Sequence, residues 1–283
     1  MKTRKPCVAD AFYAGSRAEL TDQISECFTH RFGPGAVPEP TLHGPRRILG
    51  IVSPHAGYAY SGPVAAYGYS RLAADGLPDA FVILGPNHTG LGSGLSIQSE
   101  GVWQTPLGTC AIDTELAKEI QHSCHLIDVD ERAHANEHSI EVQLPFLQFL
   151  FKDAVKFVPI CMMMQDLKTS WEIAESIIQQ TNGKRVVIIA SSDFTHYESH
   201  ETANRKDQEA IDAILNLDDK TLNALGEGNN VTMCGYGPIT VLVAAAKKLG
   251  NVKAELLAHR TSGDITGDKS AVVGYSSVLF FRE

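Results

Sequence analysis

Three histidines follow three apolar segments of the chain at similar distances. His55, His88 and His196 each lie in a short loop after a run rich in β-branched residues. Such runs are typical of buried strands in a parallel sheet, and ligands bind to open α/β sheets beyond the carboxyl ends of the strands. One histidine after a strand is more often structural, but three at equivalent positions predict a shared site.

A cysteine supplies a fourth candidate group. Cys234 precedes a glycine-rich turn and a predicted apolar helix at Ile239–Leu249, with Pro238 in its first turn. A thiol near a helix N-terminus is favoured as thiolate by the helix dipole. Alone, Cys234 is more typical of a buried structural cysteine, but beside the histidines it is a candidate metal ligand. Two imidazoles and one thiolate suit iron(II), copper or zinc, and not magnesium or calcium.

Two further residues each have two interpretations. Asp193 lies three residues before His196, where it either orients an imidazole by accepting its second N–H or caps a turn. His138 precedes a predicted amphipathic helix at about 139–150, with Ser139 as the candidate cap. It either lines the same cleft or ties down the start of that helix.

The segments around these loops alternate between strand and helix patterns. Helices are predicted at about 18–30, 63–75, 114–122, 139–150, 168–181, 202–216 and 239–249. Strands are predicted at 48–52, 80–84, 155–160, 186–190, 253–259 and 271–281, the last two as a hairpin or edge. This alternation predicts an α/β fold with a largely parallel or mixed central sheet covered by helices. The only Gly/Pro-rich stretch, 33–45, is predicted to be a loop, so residues 1–283 are expected to form a single domain.

Composition and missing motifs exclude several functional classes. A net charge of −9 argues against a nucleic-acid-binding surface. No apolar run reaches the roughly 18 to 20 residues of a membrane-spanning helix, and the N-terminus lacks the apolar region of a secretory signal, so a cytoplasmic protein with no membrane partner is expected. The six cysteines contain no C-x-x-C pair, which disfavours a disulfide framework or a zinc ribbon. Dinucleotide, Walker and nucleophile-elbow motifs are absent as well.

Six motifs are distributed over almost the whole chain. They are Pro54-His55-Ala56-Gly57-Tyr58, Gly85-Pro86-Asn87-His88, Thr105-Pro106-Leu107-Gly108, Glu137-His138-Ser139-Ile140-Glu141, Ser191-Ser192-Asp193-Phe194-Thr195-His196-Tyr197 and Cys234-Gly235. In residue type and order they resemble the Memo family, which in prokaryotes is also labelled AmmeMemoRadiSam system protein B. The resemblance implies a fold shared with the class III extradiol dioxygenases, which are non-haem iron enzymes.

The resemblance also implies roles for the candidate residues. It places His55, His88 and Cys234 at the metal-ligand positions, and His196, with Asp193 nearby, where the dioxygenases keep a catalytic acid/base histidine. The third ligand of the dioxygenases is a carboxylate, so their ring-cleaving activity does not transfer directly to a site that contains a cysteine.

Three functions stay open on these grounds. The leading hypothesis is a non-haem metal-dependent oxidoreductase that binds iron(II) or copper, with zinc as a third option, and acts on an unknown small molecule. The second is a non-enzymatic module that binds a peptide in the same cleft, as animal members of the family do. Tyr236, a possible cleft-lining residue, stands where an arginine is expected, which counts against an anionic peptide. The third is an accessory component of a modification pathway with AMMECR-type and radical-SAM partner proteins.

Overall fold

The computed structural model describes residues 2–282, which form twelve strands and ten α-helices. The strands are β1 (Thr3–Arg4), β2 (Ile48–Ser53), β3 (Ala80–Pro86), β4 (Leu95–Ile97), β5 (Val102–Thr105), β6 (Gly108–Ile112), β7 (Asp128–Val129), β8 (Lys156–Met162), β9 (Val186–Ser191), β10 (His196–Glu198), β11 (Val252–Thr261) and β12 (Val272–Arg282). The helices are α1 (Arg17–Thr29), α2 (Tyr58–Asp75), α3 (Thr114–Ser123), α4 (Arg132–Ala135), α5 (Leu144–Phe151), α6 (Leu167–Gln180), α7 (His200–Leu215), α8 (Asp219–Glu227), α9 (Tyr236–Leu249) and α10 (Ser262–Thr266).

The strands form one mixed sheet with a parallel centre. Its order is β1-β5-β6-β8-β3-β9-β2-β12-β10, with β11 on β12 and β4 on β8. Strands β8, β3, β9 and β2 pair in parallel, and antiparallel pairs flank them on both sides. Every residue of β3 is buried, as an apolar run between two layers of helices requires. The predicted α/β fold with a largely parallel or mixed sheet is confirmed.

The last two strands close the sheet as the sequence predicts. Strands β11 and β12 pair antiparallel along their whole length, and α10 connects them. The carboxyl half of β12 also pairs antiparallel with β2, so β12 links the hairpin to the parallel centre.

Strands β2, β9 and β3 are direct neighbours, which decides where the histidine loops lie. Ile189 of β9 is the partner of Ile51 on one side and of Ile83 on the other. Since the three strands run parallel, the loops that follow them leave the sheet side by side at its carboxyl edge. The expected common edge for the three histidines is therefore confirmed.

Two predicted helix starts are wrong. Helix α2 begins at Tyr58, well before Pro63, which lies inside the helix and not at its start. The segment predicted as one helix over 139–150 begins with a 3₁₀ turn, and α5 starts only at Leu144. Ser139 is not a helix cap, because its hydroxyl donates a hydrogen bond to the Pro86 carbonyl, 2.9 Å away. Among residues 2–282, none of the helices combines the length and the hydropathy of a membrane span.

Candidate metal centre

Three of the predicted residues converge at the carboxyl edge of the sheet. The ligand atoms of His55, His88 and Cys234 all lie within 4.8 Å of one another. The rings of His55 and His88 are 5.2 Å apart and nearly perpendicular, at 76°. His55 is buried, with 1% of its surface exposed, whereas 33% of the His88 side chain is exposed. The group is therefore enclosed on one side and open on the other.

The spacing of these atoms fits a transition-metal ion. Nitrogen and thiolate ligands lie about 2.0 to 2.3 Å from such an ion, so a nitrogen and a sulfur bound to it at right-angled to tetrahedral geometry are about 3.1 to 3.6 Å apart. The distance between His55 Nε2 and Cys234 Sγ is 3.2 Å. These two residues already have the separation of ligands on one ion.

Ser191, at the end of β9, sets the orientation of the His55 ring. Its hydroxyl donates to the Ser139 carbonyl at 2.7 Å and accepts from the Gln143 side-chain amide at 2.8 Å. The hydroxyl hydrogen is thus used, and Ser191 must accept from His55 Nδ1, which lies 2.8 Å away. Nδ1 therefore carries the hydrogen, and Nε2 keeps its lone pair on the side of Cys234.

Glu137 fixes His88 in the same way. One carboxylate oxygen lies 2.9 Å from His88 Nδ1, and the other accepts the backbone N–H of His88. Because a carboxylate only accepts, His88 carries its hydrogen on Nδ1 and presents Nε2 as the ligand atom. Burial alone would raise the pKa of Glu137, but the hydrogen bond from His88 and the neighbouring donors outweigh it and lower the pKa to about 2. No role is predicted for Glu137 from the sequence, although it stands directly before His138.

His138 lies beside the candidate ligands. Its ring stacks on that of His88, with centroids 4.6 Å apart and planes at 23°, and lies 5.4 Å from the ring of His55. Phe12 packs against it at 4.7 Å. Burial lowers the pKa of His138, so the ring is uncharged at neutral pH. Both interpretations left open stay compatible with the structure, because the ring lies beside the candidate ligands and the carbonyl accepts the Val142 backbone N–H at 3.0 Å, at the start of the helical segment.

Cys234 is brought to the histidines by a close approach between α9 and the loop after β9. The backbone N–H of Gly235 donates to the Ser192 hydroxyl at 2.9 Å. A Cβ atom at position 235 would lie 2.4 Å from the Ser191 carbonyl oxygen, so only glycine permits this contact. The glycine that follows the cysteine is therefore required by packing.

The surroundings of Cys234 oppose its expected thiolate character. Burial raises the pKa of its thiol well above the usual value, and the nearby Asp193 carboxylate raises it further. The Asp193 backbone N–H donates to Sγ at 3.3 Å and acts in the opposite direction, but it is the smaller effect. A cation bound at the site would favour loss of the thiol proton, as metal binding generally does.

His196 is oriented by Thr232 and not by Asp193. Its Nδ1 lies 2.8 Å from the Thr232 carbonyl, and its backbone N–H donates to the Thr232 hydroxyl at 2.7 Å. Nδ1 therefore carries the hydrogen, and Nε2 keeps a free lone pair. Asp193 instead accepts the backbone N–H groups of His55 at 2.8 Å and Ala56 at 3.3 Å. Burial raises the pKa of Asp193 to about 6, and its contacts fix the loop that carries His55.

Comparison with known proteins identifies the family. The family model described as Memo-like protein matches residues 4–279. The chain belongs to this family. A MEMO1 family protein of Methanopyrus kandleri is 48% identical over 281 residues, which cover 99% of this chain and 99% of the relative. A MEMO1 family protein of Pyrobaculum aerophilum is 49% identical over 284 residues, which cover 100% of each chain. The solved structure of an uncharacterized protein of Escherichia coli K12 superposes with a TM-score of 0.55 at 13% sequence identity. The match covers 82% of this chain and 99% of that protein, and it shows only that the two folds are similar.

Tyr236, which stands at the position of the expected arginine of the Memo family, begins α9. Its ring packs against Gly226 of α8, where a Cβ atom would come within 2.3 Å of the ring. The side chain is half-buried and contacts the hydrophobic core. It therefore joins α8 to the start of α9, and its predicted place in the cleft lining stays a prediction.

Asp207 on α7 is a buried carboxylate, like Asp193, and it contacts the residue before His196. It is fully buried, and it accepts the Thr195 backbone N–H at 2.9 Å. Burial raises the pKa of Asp207 to about 6. The nearest cation candidate is His259, whose Nε2 is 3.6 Å away, but burial lowers the pKa of that histidine to about 4 and keeps it neutral. With a pKa of about 6 and no charged basic group within salt-bridge distance among residues 2–282, the Asp207 carboxyl is expected to carry a buried charge at neutral pH.

Asp207→Asn is expected to stabilise the protein at pH 7.5, because asparagine keeps the acceptor for Thr195 without the charge. The pKa of the Asp207 carboxyl is about 6 in the folded protein and about 3.9 in the unfolded chain. The neutral carboxyl therefore contributes its full stabilisation below about pH 4, and this contribution is lost as the pH rises through 6. The advantage of the variant should thus shrink by about 2 kcal/mol between pH 7.5 and pH 4.5. Urea unfolding at both pH values measures it, with Asp212→Asn on the exposed side of α7 as control. An equal difference at both pH values would contradict the assignment.

Proposed function

We propose that this protein binds one iron(II) or copper ion through His55, His88 and Cys234 and acts as a non-haem metal-dependent oxidoreductase. The observation that carries the proposal is the convergence of these ligand atoms within 4.8 Å. Each imidazole has its Nδ1 hydrogen engaged by a fixed acceptor, Ser191 or Glu137, which leaves Nε2 for a metal. Two imidazoles and one thiolate favour iron, copper or zinc.

When bound, the metal supplies Lewis acidity and, for iron or copper, one-electron chemistry. The residues of the chain supply the rest. Glu137, ionised at neutral pH, keeps the His88 ring in one orientation and favours a cation at the site. His196 is not one of the three residues whose ligand atoms lie close together. Its Nε2 is therefore proposed to accept a proton from a substrate or to donate one to it.

The open side of the site is proposed to receive a small molecule or a peptide that contains apolar groups. Large hydrophobic side chains are exposed in the stretches that follow β2, β3, β8 and β9, the four strands of the parallel centre. These side chains are Tyr60, Leu91, Met163, Met164 and Tyr197, of which Tyr197 is 80% exposed. Exposed apolar side chains in the stretches after these strands favour a partly apolar ligand over an anionic one.

AMMECR-type and radical-SAM proteins are proposed as partners on family membership alone. Co-purification from the native cell would test that association. The proposed association does not depend on metal binding, since a partner protein and a redox substrate need not use the same surface.

Metal analysis of protein purified without oxygen tests the proposed function. About one iron or copper ion per chain is expected in the wild type, and less than one tenth of that in Cys234→Ser purified in parallel. Protein without bound metal would contradict the proposal. Full occupancy by zinc alone would replace the redox function with a hydrolytic or structural one.

A further inference from the structure

A cluster of five basic side chains surrounds a cavity at the opposite edge of the sheet. The cavity has a volume of about 70 Å³ and lies at the amino ends of β2 and β9, beside the carboxyl end of β12. The basic lining residues are Arg46, Arg47, Lys184, Arg185 and Arg282. Since β2 contains six residues, roughly 20 Å separates this cavity from the loop of His55. It is a separate site.

Most of this positive charge has no carboxylate partner among the residues that the structure describes. Within residues 2–282, the guanidinium groups of Arg47, Arg185 and Arg282 form no salt bridge. Lys184 is the exception, because it pairs with Glu119 at 2.5 Å. A concentration of unpaired arginines on a chain with a net charge of −9 is self-repelling, and an anion bound between them would offset that repulsion.

Asp75, the acidic residue in the lining of this cavity, does not neutralise the arginine side chains. The two carboxylate oxygens of Asp75 accept the backbone N–H groups of Arg47 at 2.8 Å and Ile48 at 2.9 Å. Asp75 is buried and its carboxylate fixes the start of β2. It thus organises the backbone of the site and leaves the arginine side chains without a carboxylate partner.

Arg46 lines the same cavity and is held in place by the backbone around it. Its φ of 54° is uncommon for a residue with a side chain, and its backbone N–H donates to the Asp75 carbonyl at 2.9 Å. One terminal nitrogen donates to the Leu42 carbonyl at 2.8 Å. Nε of the same guanidinium is buried and has no partner among the described residues. The Arg46 side chain is therefore fixed in the lining of the cavity, and its charge adds to that of the other arginines.

We propose that this cavity binds the phosphoryl group of a soluble, phosphate-bearing small molecule. Guanidinium groups present paired N–H donors that match phosphate oxygens, and several of them converge here. By the same measure of volume a water molecule needs about 10 to 15 Å³. A cavity of about 70 Å³ therefore accommodates a phosphoryl group and leaves the remainder of the ligand outside. The site does not depend on the proposed metal chemistry.

Calorimetric titration of the full chain with inorganic pyrophosphate tests this site. Saturable binding is expected for the wild type, and Arg185→Gln or Arg282→Gln should weaken it by at least about tenfold, since each removes charged donors to the phosphate. Arg205→Gln is the matched control, because it removes the same charge from an exposed pair with Glu209 on α7. The control should bind like the wild type. Circular dichroism spectra and thermal unfolding midpoints like those of the wild type would show that all variants are folded.

Three outcomes would overturn the assignment. They are no saturable binding of pyrophosphate to the wild type, equal weakening in Arg205→Gln, and full binding in Arg185→Gln combined with Arg282→Gln. Vesicles that contain phosphatidic acid form a second arm, because a lipid headgroup offers the same phosphoryl chemistry. Binding to vesicles without binding to pyrophosphate would overturn the assignment to a soluble ligand.

Discussion

Replacing Cys234 with serine is expected to lower the affinity of the metal-free protein for iron(II) or copper by more than about 100-fold. Substituting alanine for His55 or His88 should have a similar effect. Loss of a residue that merely orients a ligand typically costs 10- to 100-fold in metal affinity, so loss of a ligand itself should cost more. His55 is buried beside the thiol, so water is a poor substitute for it. Anaerobic titration in competition with a chelator measures these affinities.

The same titration can separate ligands from the residues that orient them. Glu137→Gln removes the charge that fixes His88 and should cost about 10- to 100-fold, less than the loss of His88 itself. Cys124→Ala is the control, because it removes another buried thiol far from the site, at the end of α3. Unchanged affinity in all three ligand variants would exclude the proposed metal centre.

The centre of the fold could be predicted because its strands are apolar on both faces. Runs such as 186–190 must be buried in a parallel sheet, and the histidines after them then meet at one edge. The short strands β4, β5, β6 and β10 were not predicted. Segments of three to five residues have too little pattern of their own and are strands only because a neighbour pairs with them.

One element was missed although the sequence contained a signal for it. Helix α8 begins after Asp218, whose carboxylate accepts the backbone N–H of Thr221 at 3.1 Å. An aspartate three residues before a threonine is a typical N-cap, and Leu222 and Leu225 have helical spacing. The segment is polar and only nine residues long, so its periodicity is weak beside that of the neighbouring helix α7.

The residues that orient the candidate ligands could not be predicted, because they are remote in the chain. The hydrogen bond between His55 and Ser191 joins positions 136 residues apart. Asp193 is close to His196 in sequence, yet its carboxylate is directed at the loop after β2. Proximity in the chain does not fix the direction of a side chain. The pKa of the Cys234 thiol was misjudged for a related reason, since burial outweighs the helix terminus.

Substituting alanine for His196 is expected to reduce turnover about 100-fold or more while metal affinity stays within several-fold of wild type. A positioned acid/base group is typically worth 10²- to 10⁴-fold in rate. His196 suits this role, since the Thr232 carbonyl engages Nδ1 and leaves Nε2 as the base. The assay follows dioxygen consumption by the metal-loaded protein with a substrate identified by screening.

The controls for His196→Ala distinguish the enzyme from a binding module. His200→Ala removes a neighbouring histidine, whose ring contacts the Thr261 hydroxyl at 2.8 Å, and should leave turnover unchanged. If the cleft only binds a peptide, His196→Ala will alter ligand affinity modestly and there will be no turnover to lose. If His196→Ala instead abolishes metal binding, this histidine is a ligand and its role as acid or base is wrong. A rate loss with retained metal assigns proton transfer to His196, because the ligands and their orienting partners are then intact.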